Sequence, residues 1–152
     1  DHEVGEGFMK KVMLVGECGS GKTALVRILS GGDHVPRRAL AVEHIGRFIV
    51  PPGEFLENRR FYPALITASV DAALILFLQN ASARSSLFPP QFAFAFNKPV
   101  LGLIMGTDLE VAEPERAVRF LTNAGVREYY SVSLLDQRGI PELQSRLDAL
   151  DD

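Results

Sequence analysis

The chain has 152 residues, a mass of 16.7 kDa and a formal net charge of −3. Its composition, 47% hydrophobic and 23% charged, indicates one folded domain and excludes collagen-like and disordered classes. A single cysteine excludes an intrachain disulfide scaffold, and the slightly acidic balance provides no positive field for nucleic acid.

The longest apolar run, Ala72 to Leu78, is far shorter than the ~20 residues that span a bilayer. No basic and then apolar leader precedes the first predicted strand. We therefore expect a cytoplasmic protein whose partners include neither nucleic acid nor membrane.

Segments typical of strands and helices alternate along the chain. The predicted strands are Lys11 to Val15, two strands within Ala41 to Val50 that turn near Gly46, Ala72 to Leu78, Pro99 to Met105 and Glu128 to Ser133. The predicted helices are Lys22 to Ser30, Tyr62 to Ser69, one between Asp108 and Gly125 with Pro114 in its first turn, and Pro141 to Leu150. The pattern predicts a three-layer α/β fold over residues 9–150, with a mostly parallel central sheet flanked by helices. Residues 1–8 are interpreted as an N-terminal extension or a remnant of expression.

The sequence GECGSGKT fits the pattern G-x-x-x-x-G-K-[ST] of a phosphate-binding loop. It follows a predicted strand and begins a predicted helix, as the motif requires. Its glycines allow backbone N–H groups to face phosphate oxygens, and the helix dipole adds to their field. Lys22 would contact the β- and γ-phosphates, and the Thr23 hydroxyl would bind Mg²⁺. The predicted phosphate contacts are Gly16, Glu17, Cys18, Gly19, Ser20, Gly21, Lys22 and Thr23.

Later segments resemble a known family. Residues 52–59, PGEFLENR, resemble the P-G-E-[YF]-x-E-N-R segment of the EutP/PduV family, small GTPase-like proteins of ethanolamine and propanediol utilisation. Similar segments are Ala41-Val42-Glu43, Phe88-Pro89-Pro90 and Asn97-Lys98-Pro99-Val100. The resemblance covers nearly the whole chain. It implies a Ras-like P-loop fold, GTP or ATP as the bound nucleotide with Mg²⁺, and a role around bacterial microcompartments.

Two departures from the family pattern concern Mg²⁺. Val50 stands where the family has the aspartate of D-T-P-G, a carboxylate that usually holds the metal through water. Ala39, in Arg37-Arg38-Ala39, stands where the family has a threonine that resembles a metal ligand. Thr23 is then the one protein side chain that we still expect to bind Mg²⁺. We expect weakened binding, because phosphates and water can also hold Mg²⁺.

The base-recognition motif is altered as well. Met105-Gly106-Thr107-Asp108 stands where the family resembles [NT]-K-x-D, so Gly106 lacks the lysine stem that would cover a base. Asp108 either accepts hydrogen bonds from guanine or caps the next helix. Ser133 matches the family's S-A segment, although Leu134 replaces its alanine. Gly53, Asp108 and Ser133 are thus further candidate nucleotide contacts.

Glu54 stands where related GTPases orient the attacking water with glutamine. It is a candidate base or a group that repels the γ-phosphate, and the alternative is a first-turn helix residue favoured by the helix dipole. Cys18 lies inside the loop, where Lys22 and the helix dipole would lower its thiol pKa. The plainer interpretation of Cys18 is a tolerated small residue.

Phe88, Phe92, Phe94 and Phe96 concentrate four of the ten phenylalanines within nine residues. One interpretation is a surface for a microcompartment protein or for self-association. The other is that the segment packs inward on its own domain.

Three functions follow from these residues. The first is Mg²⁺-dependent hydrolysis of a nucleoside triphosphate with Lys22 and Glu54 as catalytic residues, weakened by the altered motifs. The second is a non-hydrolysing module that binds nucleotide and docks to a microcompartment component. The third is phosphoryl transfer to a small acid or alcohol.

Overall fold

A six-stranded sheet runs through the middle of the computed structural model, which describes residues 9–31 and 41–152. Its strands are β1 (Val12–Val15), β2 (Glu43–Ile45), β3 (Phe48–Val50), β4 (Leu74–Asn80), β5 (Val100–Met105) and β6 (Glu128–Val132). Their order is β2-β3-β1-β4-β5-β6, and every neighbouring pair is parallel except β2 with β3. The predicted mostly parallel sheet is confirmed.

Helices follow the parallel strands. They are α1 (Lys22–Leu29), α2 (Glu54–Glu57), α3 (Tyr62–Ala68), α4 (Pro114–Asn123) and α5 (Ile140–Asp148), with 3₁₀ turns at Arg59–Phe61, Ser69–Asp71, Phe92–Ala95 and Ala149–Asp151. Pro114 is the first residue of α4, where its missing N–H costs no hydrogen bond. None of the helices in the described ranges combines the length and apolar character that a bilayer crossing requires.

Two apolar layers cover the two faces of the sheet. Alternate residues of β1 point to opposite sides, so Met13 belongs to one layer and Leu14 to the other. The layer around Leu14 includes side chains of α1 and α5, namely Leu25, Val26, Leu143 and Leu147. The layer around Met13 includes side chains of α2, α3 and α4, namely Leu56, Leu65, Ala117 and Leu121. This arrangement confirms the predicted three-layer α/β fold.

The carboxyl ends of four parallel strands meet at one edge of the sheet. In the ladders, Val15 pairs with Phe77, and Met105 pairs with both Asn80 and Val132. The segments that follow β1, β4, β5 and β6 therefore lie side by side. Crevices at this edge are where open α/β sheets bind their ligands.

Most of the phenylalanine-rich segment packs inward. Phe88, Phe92 and Phe96 are each at least 93% buried, and their ring centroids lie 4.5, 5.8 and 5.9 Å from that of Phe77. Phe94 is 62% exposed. The prediction of a partner surface is therefore wrong for three of the four rings. Packing around Phe77 removes more of their apolar area from water than an exposed position on the surface would. A partner contact through this segment stays a prediction for Phe94.

Gly139, at the start of α5, provides a test of the loop that follows β6. Its φ is +84°, and a Cβ there would collide with the Ser131 carbonyl oxygen. Gly31 has a similar φ of +92° but no atom within 4 Å of an added Cβ. We expect Gly139→Ala to lower the free energy of unfolding by at least about 3 kcal/mol, and Gly31→Ala by about 1–2 kcal/mol. Urea denaturation of both variants measures this, and equal losses would show that the collision is absent.

Candidate functional site

The phosphate loop connects β1 to α1, as the motif predicts. Gly19 and Gly21 have φ of +83° and +97°, in the left-handed region that glycine adopts without a steric cost. Gly21 is the N-terminal capping residue of α1, whose first residues are Lys22 and Thr23. An added Cβ at Gly16 would lie 2.5 Å from the Ser20 hydroxyl oxygen. The loop therefore needs glycine at positions 19 and 21 for their positive φ, and at position 16 because a side chain would not fit.

Lys22 connects the start of α1 to the start of the loop. Its Nζ donates hydrogen bonds to the carbonyl oxygens of Gly16, at 2.6 Å, and Glu17, at 3.1 Å. The residue is buried, and desolvation lowers the pKa of its ammonium group, while the nearby Cys18 and acidic side chains act in the opposite direction. The Lys22 side chain is thus held against the predicted phosphate site by two carbonyl oxygens of the loop.

Gly53 packs directly against this loop. An added Cβ would lie 2.7 Å from Cys18 Sγ and 2.8 Å from Cys18 Cα, and it would collide with the Cys18 amide nitrogen. Helix α2 begins at the next residue, Glu54, whose Oε1 lies 3.9 Å from the Cys18 thiol. The structure therefore brings Gly53 and Glu54 to the loop, as predicted, and Glu54 also lies in the first turn of a helix.

Glu57 is a residue of the site that the sequence analysis missed. Its Oε2 accepts a hydrogen bond of 2.7 Å from the backbone N–H of Cys18. Residues three apart on a helix lie on the same face, so Glu54 and Glu57 both reach the loop from α2. The three-residue spacing of the glutamates after Gly53 is the sequence signal that could have found this contact.

The Cys18 thiol has a raised pKa, and the expectation of a lowered pKa is wrong. Partial desolvation contributes most, followed by the hydrogen bond to Glu57 and the negative charges of Glu57 and Glu54. Lys22 acts in the expected direction but is outweighed. Desolvation, together with the acidic residues of α2 that sequence reasoning did not place beside Cys18, outweighs Lys22 and reverses the expected shift.

The Val50 side chain has no atom that can bind a metal ion. It ends β3 with 4% of its surface exposed, and it packs in the apolar layer that contains Leu14 and Leu25. Within residues 9–31 and 41–152, no three His, Cys, Asp or Glu side chains are grouped as metal ligands. Arg37, Arg38 and Ala39 lie outside the described residues. The half-buried Thr23 remains the candidate protein ligand, with the other positions around Mg²⁺ left to phosphate and water.

A cavity of about 210 Å³ lies beside the loop at the same edge of the sheet. Gly19, Ser20 and Gly21 form one side of it, and Asp108 contributes a half-buried carboxylate. Its remaining lining residues are Asn80, Met105, Gly106, Leu109, Leu134 and Leu135. Apolar walls with a few polar groups are typical of pockets that bind small molecules.

Asp108 is not the cap of the next helix, because α4 begins at Pro114 and its capping residue is Glu113. That alternative is excluded, and Asp108 lies in the cavity wall. Asn80, at the end of β4, is a second polar residue of this wall that the sequence analysis missed. Ser133 is fully buried, and its N–H donates to the Arg138 carbonyl oxygen at 3.0 Å. Its role as a nucleotide contact stays a prediction.

Comparison with known proteins agrees with the architecture. Residues 9–149 match the PduV-EutP family, described as ethanolamine utilisation - propanediol utilisation. The chain belongs to the PduV-EutP family. This confirms the resemblance and the Ras-like P-loop fold that it implied, and it places the chain among proteins of ethanolamine and propanediol utilisation.

Curated relatives match almost end to end. The propanediol utilization protein PduV of Citrobacter freundii is 35% identical over 138 residues, which cover 89% of this chain and 91% of the relative. The probable acetate kinase EutP of Escherichia coli K12 is 28% identical over 145 residues, or 93% and 91% of the two chains. The probable acetate kinase EutP of Salmonella typhimurium is 30% identical with the same coverage.

The raised pKa of Cys18 predicts a slowly reacting thiol. The thiolate is the nucleophile, so the native protein should react with iodoacetamide more slowly than the urea-unfolded chain at about pH 8. The alkylation rate of the native protein should still increase as the pH rises above the ordinary pKa of a cysteine thiol. Mass spectrometry of quenched samples measures both profiles, because the chain has a single cysteine. A native midpoint below that of the unfolded chain would contradict the prediction.

Proposed function

We propose that this protein binds a nucleoside triphosphate, GTP or ATP, at its phosphate loop and hydrolyses it slowly with Mg²⁺ in ethanolamine or propanediol utilisation. The observation that carries the proposal is the shared wall of loop and cavity: Gly19, Ser20 and Gly21 belong to both. A base in the cavity would therefore place its phosphates over the loop and the start of α1. Backbone amides, the helix dipole and Lys22 all favour an anion there.

The residues around the loop would have different roles in hydrolysis. Lys22 neutralises charge on the phosphates, and Mg²⁺, when bound, supplies further charge neutralisation. Glu54 lies beside Cys18 at the edge of the loop, where it would orient the attacking water or accept its proton. Hydrolysis is slow in this proposal because Val50 supplies no carboxylate for the metal and because the charges of Glu54 and Glu57 oppose that of a γ-phosphate.

Selectivity for the base rests on Asp108. Its carboxylate matches the two N–H donors of guanine, which adenine does not present in that arrangement. Gly106 has a φ of +75° and no side chain to cover the base, so binding of ATP is also expected. Asn80 adds a donor and an acceptor to the same wall.

The non-hydrolysing module remains an alternative within this proposal. The buried Val50 favours it, since an apolar side chain has replaced a metal-binding group. In that case the bound nucleotide would regulate docking to a microcompartment component, and the exposed Phe94 is a candidate contact. The localisation would then be cytoplasmic and associated with a microcompartment.

We expect purified protein to hydrolyse GTP or ATP with Mg²⁺ at a rate that falls at least about tenfold in Lys22→Met, because the phosphates lose their cation. Methionine keeps the buried stem of the side chain, and thermal melting checks the fold. Release of phosphate measures turnover. Absence of turnover above buffer, together with binding of the nucleotide in calorimetry, would favour the non-hydrolysing module.

The double variant Val50→Asp, Ala39→Thr restores the two metal-binding groups of the family pattern. It distinguishes an enzyme weakened by their loss from a module that does not need them. A buried carboxylate costs stability, so rates are compared per folded molecule. Faster hydrolysis in the double variant would show that the metal ligands limit the reaction. Equal rates would show that they do not.

Phosphoryl transfer to a small carboxylic acid is a second candidate function. Two of the relatives are named probable acetate kinase, which favours this function. In the reverse direction, the phosphoryl group of acetyl phosphate would pass to ADP and leave acetate. We expect ATP from these two substrates in a luciferase assay, with loss of the signal in Lys22→Met. A signal no greater than that of protein-free buffer would eliminate this candidate.

A further inference from the structure

Glu57 occupies a hydrogen-bonding position of the phosphate loop. The backbone N–H of Cys18 donates to its carboxylate at 2.7 Å, a length typical of hydrogen bonds to a charged acceptor. The same loop is the predicted binding site for phosphate oxygens. One loop amide therefore already binds an anion that belongs to the chain itself.

The backbone of α2 positions Glu57 beside the phosphate loop. Gly53 lies so close to Cys18 that any side chain would collide with the loop. The amide of Glu57 donates to the Gly53 carbonyl oxygen at 3.1 Å, so the helix begins at this contact. Glu57 itself is exposed, and its side chain can rotate away from Cys18 without disturbing the apolar layers.

The position of the cavity indicates which phosphate Glu57 would meet. The cavity is lined by Gly19, Ser20 and Gly21, and Cys18 is not among its lining residues. A nucleotide with its base in the cavity would place its first phosphates near Gly21 and the start of α1. The terminal phosphoryl group of a triphosphate would then extend toward Cys18.

We propose that Glu57 determines which nucleotide the site prefers, by holding at Cys18 the position that a terminal phosphoryl group needs. A nucleoside diphosphate leaves the contact intact, whereas a triphosphate must displace Glu57 and bear the repulsion of its carboxylate. Glu54 adds a second negative charge at the same place. The site is therefore selective for diphosphates, and this selectivity rests on the nucleotide binding proposed above.

Calorimetry with ADP, ATP, GDP and GTP tests this selectivity in wild type and in Glu57→Gln, each with fixed Mg²⁺ and with EDTA. Glutamine keeps the size of the side chain and removes its charge. We expect wild type to bind diphosphates about tenfold more tightly than triphosphates, and Glu57→Gln to remove most of that difference by tightening triphosphate binding. Asp71→Asn is the matched control: it also removes one exposed carboxylate but precedes β4, at the opposite edge of the sheet. It should leave the ratio unchanged.

The outcomes separate the two proposals. If nucleotides bind but the ratio is the same in wild type and Glu57→Gln, the selectivity proposal is overturned and nucleotide binding stands. If no nucleotide binds to any variant, both are overturned.

Discussion

The close approach of Gly53 to Cys18 is the contact on which the candidate site depends. Two backbone segments that are 35 residues apart in sequence meet there without an intervening side chain. The contact fixes where α2 begins and therefore which of its side chains face the loop. A larger residue at position 53 would separate the acidic helix from the phosphate loop while leaving the glycine motif itself intact. Gly53 therefore determines which side chains surround the phosphate loop, although it lies outside the glycine motif.

Much of the fold could be predicted because its signals are local. The apolar runs of β4 and β5, the glycines of the loop and Pro114 at the start of α4 each indicate structure within a few residues. The helix α2 was not predicted as a separate element, since four residues carry too little periodicity. It is stabilised by packing, with the buried Leu56 in the apolar layer and Gly53 on the loop.

The errors have a common physical origin. Phe88 and Cys18 were each interpreted from their sequence neighbours, but their surroundings come from distant segments. Phe88 stacks on Phe77 of β4, and the pKa of Cys18 responds to Glu57, which lies 39 residues further along the chain. Desolvation and charge act through space, so the motif predicts the backbone shape of the loop better than it predicts the pKa of a side chain in it. Asp108 shows the converse, because the position of α4 was enough to exclude its role as a cap.

The location of Cys18 also makes the protein convenient to observe. The chain has a single cysteine, its thiol is exposed, and its backbone amide lies within the phosphate loop. A fluorescent maleimide would therefore attach at one defined point without any engineering of the sequence. The label would lie on the exposed side of the contact between the loop and α2, where its emission would report separation of the two.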